Sequence, residues 1–217
     1  MGDLKRLSKG DMDAARNKPA RETSSELKVQ TWPELKLSQQ VPPIPDGPAG
    51  VPPGRCGDSF TTFDLKRAPE MRPAYKRCRD LIAGKVWCAF LWGNFGNGKT
   101  HLAIAALNEW YARESTVIFW KVPDFLSWMR RRVFEDKERE DDVLQSYREG
   151  ANLVVFDDLG TENRTDWSYE QLYRVLDSRS DNHLPTIITS NLDELDGRIV
   201  SRYREGLIVC RGKDQRA

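Results

Sequence analysis

The sequence predicts an α/β fold in which a parallel β-sheet is covered by helices on both faces. From Phe60 onward, short apolar runs of strand length alternate with longer segments that carry apolar residues at helical spacing. Most of these runs are continuously apolar, as expected for strands buried on both faces rather than on one. Strands that alternate with helices favour a parallel sheet with helical layers on either side.

The individual elements follow from the same patterns. The predicted strands are Val86–Trp92, Thr116–Trp120, Leu153–Phe156, Thr186–Thr189 and Leu207–Cys210. The predicted helices are a segment after Pro73 that stops at Gly84, Gly98–Arg113, Asp124–Phe134, a helix that ends near Glu149, Trp167–Ser180 and Asp193–Tyr203.

Residues 1–59 differ from the rest of the chain. They are polar and charged at first and then rich in proline, through the stretch QQVPPIPDGPAGVPPGR. Such a composition buries too little apolar surface to offset the entropy of ordering, so we expect a largely disordered extension. It is either a spacer or an arm that folds on contact with a partner. The predicted organisation is therefore an extension over 1–59 and one folded domain over 60–217.

Composition excludes several classes of protein. The net charge is +1, so any nucleic-acid surface must be local. The sequence contains no run of about 18 apolar residues, so it predicts no membrane span. The first residues lack the apolar core of a signal peptide. The four cysteines form no CxxC pair, which favours a reducing cytoplasm over a disulfide framework or a zinc site.

The stretch GNFGNGKTH, residues 93–101, carries the clearest chemical signal. Gly93, Gly98, Lys99 and Thr100 satisfy the pattern GxxxxGK[ST], between a predicted strand and a predicted helix. Its backbone N–H groups and the positive end of the helix would hold the phosphates of ATP. Lys99 would reach the β- and γ-phosphates, and the Thr100 hydroxyl would bind Mg²⁺. The expected nucleotide-binding residues are Gly93, Asn94, Phe95, Gly96, Asn97, Gly98, Lys99, Thr100 and His101. For the His101 ring, packing on the sheet is favoured over a catalytic role.

Two carboxylates follow the buried strand of LVVFDDLG. The carboxyl ends of parallel strands are where ligands of open α/β sheets bind. Asp157 would hold Mg²⁺, and Asp158 would act as general base toward the attacking water. The alternative is a solvated turn, but two adjacent carboxylates repel unless a cation lies close to them.

Two further segments carry candidate catalytic residues. Asn191 ends PTIITSN, where an amide could orient the lytic water, although Ser-Asn after a strand is also ordinary turn chemistry. Arg198 and Arg202 are four residues apart and so share one helical face. That face is either a solvated surface or the site of an arginine finger, Arg202, that reaches the nucleotide of a neighbouring subunit.

In this order, GNFGNGKTHLAIA, LVVFDDLGTE, PTIITSN and RIVSRY resemble the AAA+ ATPases of the bacterial helicase-loader group, with the related IstB-like transposition helpers. The resemblance covers roughly residues 59–217. It implies a five-stranded parallel sheet of the AAA+ P-loop NTPase type, with ATP and Mg²⁺ at a subunit interface. It also places Arg216, within the terminal GKDQR, at the arginine of a second sensor.

The resemblance further implies a function. Slow ATP hydrolysis would act as a switch that loads a DnaB-type replicative helicase onto single-stranded DNA during DNA replication, and the protein would self-associate through its ATP site. Residues 121–150 match in position an insert that lines the DNA channel, so Arg130, Arg131 and Arg132 are possible DNA contacts. A solvated helix face is the alternative for these arginines.

Three departures from the family pattern matter. Asp158 stands where most AAA+ proteins carry glutamate, the extension lacks a cysteine cluster, and no helical lid or duplex-reading domain follows GKDQRA. The last of these departures argues against a DnaA-type initiator. Within the resembling group, the alternative function is a transposition helper that binds DNA and recruits a transposase. A small-molecule kinase would leave PTIITSN without a role, and a protein that binds ATP without hydrolysing it would not need Asp158.

Overall fold

The structure is a computed structural model and describes residues 7–8, 48–113, 116–162, 165–212 and 214. Its centre is a five-stranded sheet in the order β2-β3-β4-β1-β5, in which every neighbouring pair is parallel. The strands are β1 (Cys88–Gly93), β2 (Val117–Lys121), β3 (Leu153–Leu159), β4 (Thr186–Ser190) and β5 (Leu207–Cys210). The sequence predicts the five parallel strands, and the structure adds their order in the sheet.

The sheet is buried on both faces. Along β1, Ala89 and Leu91 pack into one apolar cluster, whereas Phe90 and Trp92 pack into another on the opposite face. This alternation follows from the two-residue period of a strand. Both faces are fully covered, which explains why β1 is apolar throughout and does not alternate with polar residues.

Six α-helices flank the sheet within the described residues. They are α1 (Arg72–Ile82), α2 (Lys99–Tyr111), α3 (Val122–Phe134), α4 (Glu140–Gln145), α5 (Asp166–Asp181) and α6 (Gly197–Arg202). The first two pack on one face of the sheet, and α3, α4, α5 and α6 contribute to the core on the other face.

The helix predicted to end near Glu149 is helical to Gly150, first as α4 to Gln145 and then as a π-helix over Ser146–Gly150. The helix predicted to start at Asp193 starts at Gly197 instead, because Glu194–Leu195 is a short strand. Asp196 then caps α6, since its carboxylate accepts a hydrogen bond from the Arg198 N–H at 2.9 Å.

A fully buried arginine joins α5 to the base of the sheet. The Arg179 guanidinium donates hydrogen bonds to the carbonyl oxygens of Tyr147 (2.9 Å), Ala151 (3.2 Å) and Pro185 (2.7 Å). Burial lowers its pKa to about 10. Its Nε also donates to the Thr186 hydroxyl at 3.0 Å. All these partners belong to the π-helix, the residue after it, the residue before β4 and the first residue of β4, so Arg179 has a structural role.

Part of the extension packs on the domain. Ala49 and Val51 are buried in the core cluster that contains α1 and α2. Leu7–Ser8 pairs as an antiparallel strand with Glu194–Leu195. The division at residues 59 and 60 stays a prediction, but packing against the domain begins before it. Among the described residues, no helix is long and apolar enough to cross a bilayer.

Candidate nucleotide-binding site

The loop over residues 93–98 connects β1 to α2 at the carboxyl edge of the sheet. Glycine is required at both ends of this loop. A Cβ on Gly93 would lie 2.0 Å from the Cys210 carbonyl oxygen, and Gly98 has a φ of +90° with Phe63 2.6 Å from a would-be Cβ. The backbone therefore holds a conformation that L side chains rarely adopt, as a phosphate-binding loop demands.

Lys99 is buried and anchored within this loop. Its Nζ donates hydrogen bonds to the carbonyl oxygens of Gly93 (2.9 Å) and Asn94 (2.6 Å) and to Asn97 Oδ1 (3.1 Å). Asn97 is also buried, and its Nδ2 donates to the Cys210 carbonyl at 3.0 Å. The ammonium group is thus positioned at the mouth of the loop by groups that are themselves tied to β5.

Asp157 stands at the centre of the acidic part of the site. Its Oδ1 accepts hydrogen bonds from the hydroxyls of Thr100 at 2.9 Å and Thr189 at 2.7 Å. Burial and the neighbouring Asp158 raise the pKa of Asp157, while the two hydroxyls lower it. A buried carboxylate with a charged neighbour gains most from a cation, which would offset both effects.

Thr189 was not singled out in the sequence, although it lies inside PTIITSN. Its hydroxyl donates to Asp157 and accepts a hydrogen bond from the Asp158 N–H at 3.0 Å. Asp158 has a φ of +57°, a left-handed conformation that aspartate tolerates better than most residues. Thr189 therefore holds both aspartates from the neighbouring strand.

A cleft of about 510 Å³ opens over these groups. It brings together most of the predicted site residues: Phe95, Gly96, Asn97, Gly98, Lys99, Thr100, His101, Asp157, Asp158 and Asn191. Five residues that the sequence analysis did not single out also line it: Pro52, Arg55, Phe119, Lys121 and Thr161. Gly93 and Asn94 take part through their carbonyls, which bind Lys99.

Pro52 and Arg55 lie in the proline-rich stretch, whose composition predicts disorder, so the sequence analysis did not place them at the site. Arg55 forms an ion pair with Asp58 at 2.7 Å, and its charge lowers the pKa of Asp157. The only signal in the sequence is a pair of small apolar residues, Ala49 and Val51, among the prolines, and these two are buried. One wall of the cleft therefore comes from the segment that precedes the predicted domain boundary.

His101 borders the cleft, but its ring contacts the segment before α1 rather than the sheet. Nε2 lies 3.0 Å from the Ser59 carbonyl oxygen and 3.2 Å from Thr62 Oγ1, and the ring packs edge-on against Phe63. The expectation that this ring packs on the sheet is wrong in that respect. These contacts join the segment over residues 59–63 to the first turn of α2.

Arg202 does not line the cleft. At the end of α6, its side chain pairs with Asp177 and with Asp181 at 2.8 Å, and its Nε donates to the Tyr173 hydroxyl at 3.1 Å. Arg198 lies over the rings of Tyr169 and Tyr173 on the same surface. Within one chain, therefore, Arg202 cannot act on the nucleotide cleft that Asp157 and Asp158 line.

The three candidate DNA-contacting arginines lie in the last turns of α3. Arg130 and Arg131 are exposed, and Arg130 lies over the Trp167 ring at 5.5 Å. Arg132 is half-buried and pairs with Glu138 at 2.7 Å. Two guanidinium groups are thus available at the surface, and the third is neutralised locally. Arg216 lies outside the described residues.

The phosphate loop follows β1, and Asp157 lies on β3, which is separated from β1 by β4. In a sheet of this strand order, the arrangement is that of a P-loop NTPase fold of the AAA+ type. Comparison with known proteins gives the family. Residues 83–196 match the IstB-like ATP binding protein family, and the chain belongs to it.

The curated relatives include two helicase loaders. The chain is 26% identical over 167 residues to the replicative helicase loader DnaC of Escherichia coli, covering 73% of this chain and 67% of DnaC. It is 30% identical over 147 residues to the replicative helicase loader DnaI of Bacillus subtilis, covering 64% of this chain and 46% of DnaI. A crystal structure of the DnaC helicase loader aligns with a TM-score of 0.62 at 21% identity, covering 75% of this chain and all of that chain, and this confirms the predicted fold.

Proposed function

We propose that the protein binds and slowly hydrolyses ATP as a switch that loads a replicative helicase onto single-stranded DNA. One observation carries the ATPase part of this proposal, namely the contact of Thr100 with Asp157 beside the anchored Lys99. The helicase part is supported by relatives named as helicase loaders, at modest identity. The chain spans less than half the length of DnaI, so the helicase partner is part of the proposal.

The residues present fit a nucleotide-bound Mg²⁺. Thr100 Oγ1 and Asp157 Oδ1 are oxygen ligands 2.9 Å apart in a cleft large enough for phosphates, and Mg²⁺ prefers oxygen ligands. No group of three histidines, cysteines or carboxylates in the described part of the chain could hold a metal ion by itself. A cation here would therefore depend on the phosphate oxygens, and it would neutralise charge that develops on them.

The other side chains of the cleft would have separate roles in binding the phosphates and activating water. Lys99 would release its loop carbonyls to bind the β- and γ-phosphates. Asp158 would accept a proton from the attacking water, and Asn191 would orient that water from the end of β4. Thr189 keeps Asp158 in place through its N–H. These side chains come from the phosphate loop and α2 and from the ends of β3 and β4, so the site depends on the sheet remaining intact.

Self-association completes the proposed mechanism. Arg202 lies away from its own cleft, on a surface where Asp177, Asp181 and Tyr173 hold the guanidinium. Placed against a second copy, this group would reach the γ-phosphate in the neighbouring cleft. The exposed Arg130 and Arg131 would contribute phosphate contacts to single-stranded DNA that weaken as salt is raised.

Turnover by Asp158→Asn tests the catalytic role. Asparagine tolerates the left-handed backbone at this position, so the change removes the base and leaves the fold. We expect hydrolysis to fall about 10²- to 10⁴-fold while ATP binding persists. Unchanged turnover would show that Asp158 is not the base.

Affinity capture with the full chain tests the partner. The parent with ATP and Asp158→Asn with ATP should both retain a hexameric replicative helicase, whereas Lys99→Ala, which loses the phosphate contact, should retain much less. Because the matched family model carries the IstB name, a transposition helper is the second candidate. Recovery of a transposase instead of a helicase would favour that function and contradict the loader.

A further inference from the structure

A second cavity of about 490 Å³ lies beside the nucleotide cleft. Its lining is mainly apolar, with Phe90, Leu159, Leu172, Leu192, Leu195 and Ile199. Four carboxylates also line it, those of Glu162, Asp193, Glu194 and Asp196. An apolar cavity whose charged lining residues are all acidic suits a segment that combines apolar and basic side chains.

The backbone along this cavity already accepts a strand. Glu194–Leu195 pairs antiparallel with Leu7–Ser8, with Leu7 opposite Leu195 and Ser8 opposite Glu194. Leu195 is buried and lines the cavity, so the paired strand runs along its edge. Strand addition to an exposed edge is a common mode of peptide recognition, in which the main chain supplies affinity and side chains supply selectivity.

The residues that precede Leu7 in the sequence carry charges opposite to those of the carboxylates that line the cavity. In the sequence, Lys5 and Arg6 immediately precede Leu7, and Leu4 precedes them. Two basic residues therefore adjoin the paired strand, while Glu194 and its acidic neighbours adjoin the receiving one. Opposite charges favour this pairing, and their attraction falls as salt screens it.

We propose that Glu194–Leu195 and the adjoining apolar cavity form a strand-addition site for a short segment of basic and apolar composition, occupied by this chain's own Leu7–Ser8. The chain thus ties its N-terminal arm to the segment between Asn191 and α6. This inference does not depend on the proposed helicase loading, because it concerns a surface outside the nucleotide cleft.

Hydrogen–deuterium exchange on the full chain tests the proposal. Leu7→Pro disfavours the pairing, and opposite residues of an antiparallel pair alternate between bonded and non-bonded pairs. Of the Glu194 and Leu195 amides, the one that donates to the paired strand should therefore exchange about tenfold faster or more than in the parent. Leu37→Pro is the matched control, the same substitution elsewhere in the extension, and it should leave these amides unchanged. Equal exchange in the parent and Leu7→Pro, or equal acceleration in both variants, would overturn the proposal.

Charge-reversal variants and a dilution series, both followed by hydrogen–deuterium exchange, identify the segment that occupies the site. Lys5→Glu with Arg6→Glu should accelerate exchange at Glu194, and adding Glu194→Lys should restore part of the protection, because the charges are reversed on both sides. Failure of this restoration would contradict the charge pairing. Protection that stays constant on dilution supports the chain's own arm, whereas protection that is lost on dilution would assign the site to a second copy and refute the proposal as stated.

Discussion

Thr189→Val is the sharpest test of how the acidic centre is built, because valine keeps the branched shape and removes only the hydroxyl. The hydroxyl donates to Asp157 at 2.7 Å and accepts from the Asp158 N–H at 3.0 Å. A hydrogen bond to a charged group contributes about 1.5–3 kcal/mol, and a buried donor left without a partner costs about 1–3 kcal/mol. Because the site can relax in part, we expect the free energy of unfolding to fall by about 2–4 kcal/mol.

Thr189→Ser is the matched control. It keeps both hydrogen bonds and loses one methyl group, for which about 1 kcal/mol is expected. Urea titration of the two variants at neutral pH compares their free energies of unfolding with that of the parent. If the valine variant is as stable as the serine variant, Thr189 does not hold the two aspartates.

The same pair of variants has a pH signature. The Thr189 hydroxyl lowers the pKa of Asp157, which burial and Asp158 raise, so removing the hydroxyl raises that pKa further. Mg²⁺ requires the ionised carboxylate, and protonation therefore competes with the metal as the pH falls. The acid limb of Mg²⁺-dependent ATP hydrolysis should lie at higher pH in Thr189→Val than in Thr189→Ser. Superimposable pH profiles for the two variants would contradict this role for the hydroxyl.

Two other predictions concern the loop and the assembly. Gly98→Ala should weaken ATP binding and lower the unfolding free energy by about 1–3 kcal/mol, because a left-handed backbone and a contact with Phe63 oppose a Cβ there. Gly54→Ala, where a Cβ would meet open space, is its control, and equal effects in equilibrium titrations would refute the argument. Arg202→Ala and Lys99→Ala should each hydrolyse ATP poorly, but mixing them should restore part of the activity, since one supplies an intact cleft and the other the arginine. A mixture no more active than its components would refute the action of Arg202 on a neighbour.

The sheet and the phosphate loop could be predicted because their signals are local. Strands such as β1 are continuously apolar, and the spacing from Gly93 to Thr100 carries its meaning within eight residues. The two aspartates were recognisable for the same reason, although they lie within β3 rather than after it. Local patterns also placed Asn191 at the end of β4, where it lines the cleft.

The contacts that finish the site are non-local, and for that reason the sequence did not reveal them. Thr189 meets Asp157 and Asp158 only because β3 and β4 are neighbours in the sheet. Arg55 reaches the cleft because Val51 is buried a few residues before it, within a stretch whose proline content predicts disorder. The predicted action of Arg202 on the nucleotide of a neighbouring subunit requires a second chain, so this role stays a prediction.

Calorimetric titration of the full chain with ATP, with Mg²⁺ and with a chelator in its place, tests the central claim most directly. The parent should bind ATP in both conditions and more tightly with Mg²⁺, because Thr100 and Asp157 would share the metal with the phosphates. Asp157→Asn should still bind ATP through the loop but lose the gain from Mg²⁺. A parent that binds no ATP, or an Asp157→Asn variant that keeps the full gain, would contradict the assignment of this cleft as the ATP–Mg²⁺ site.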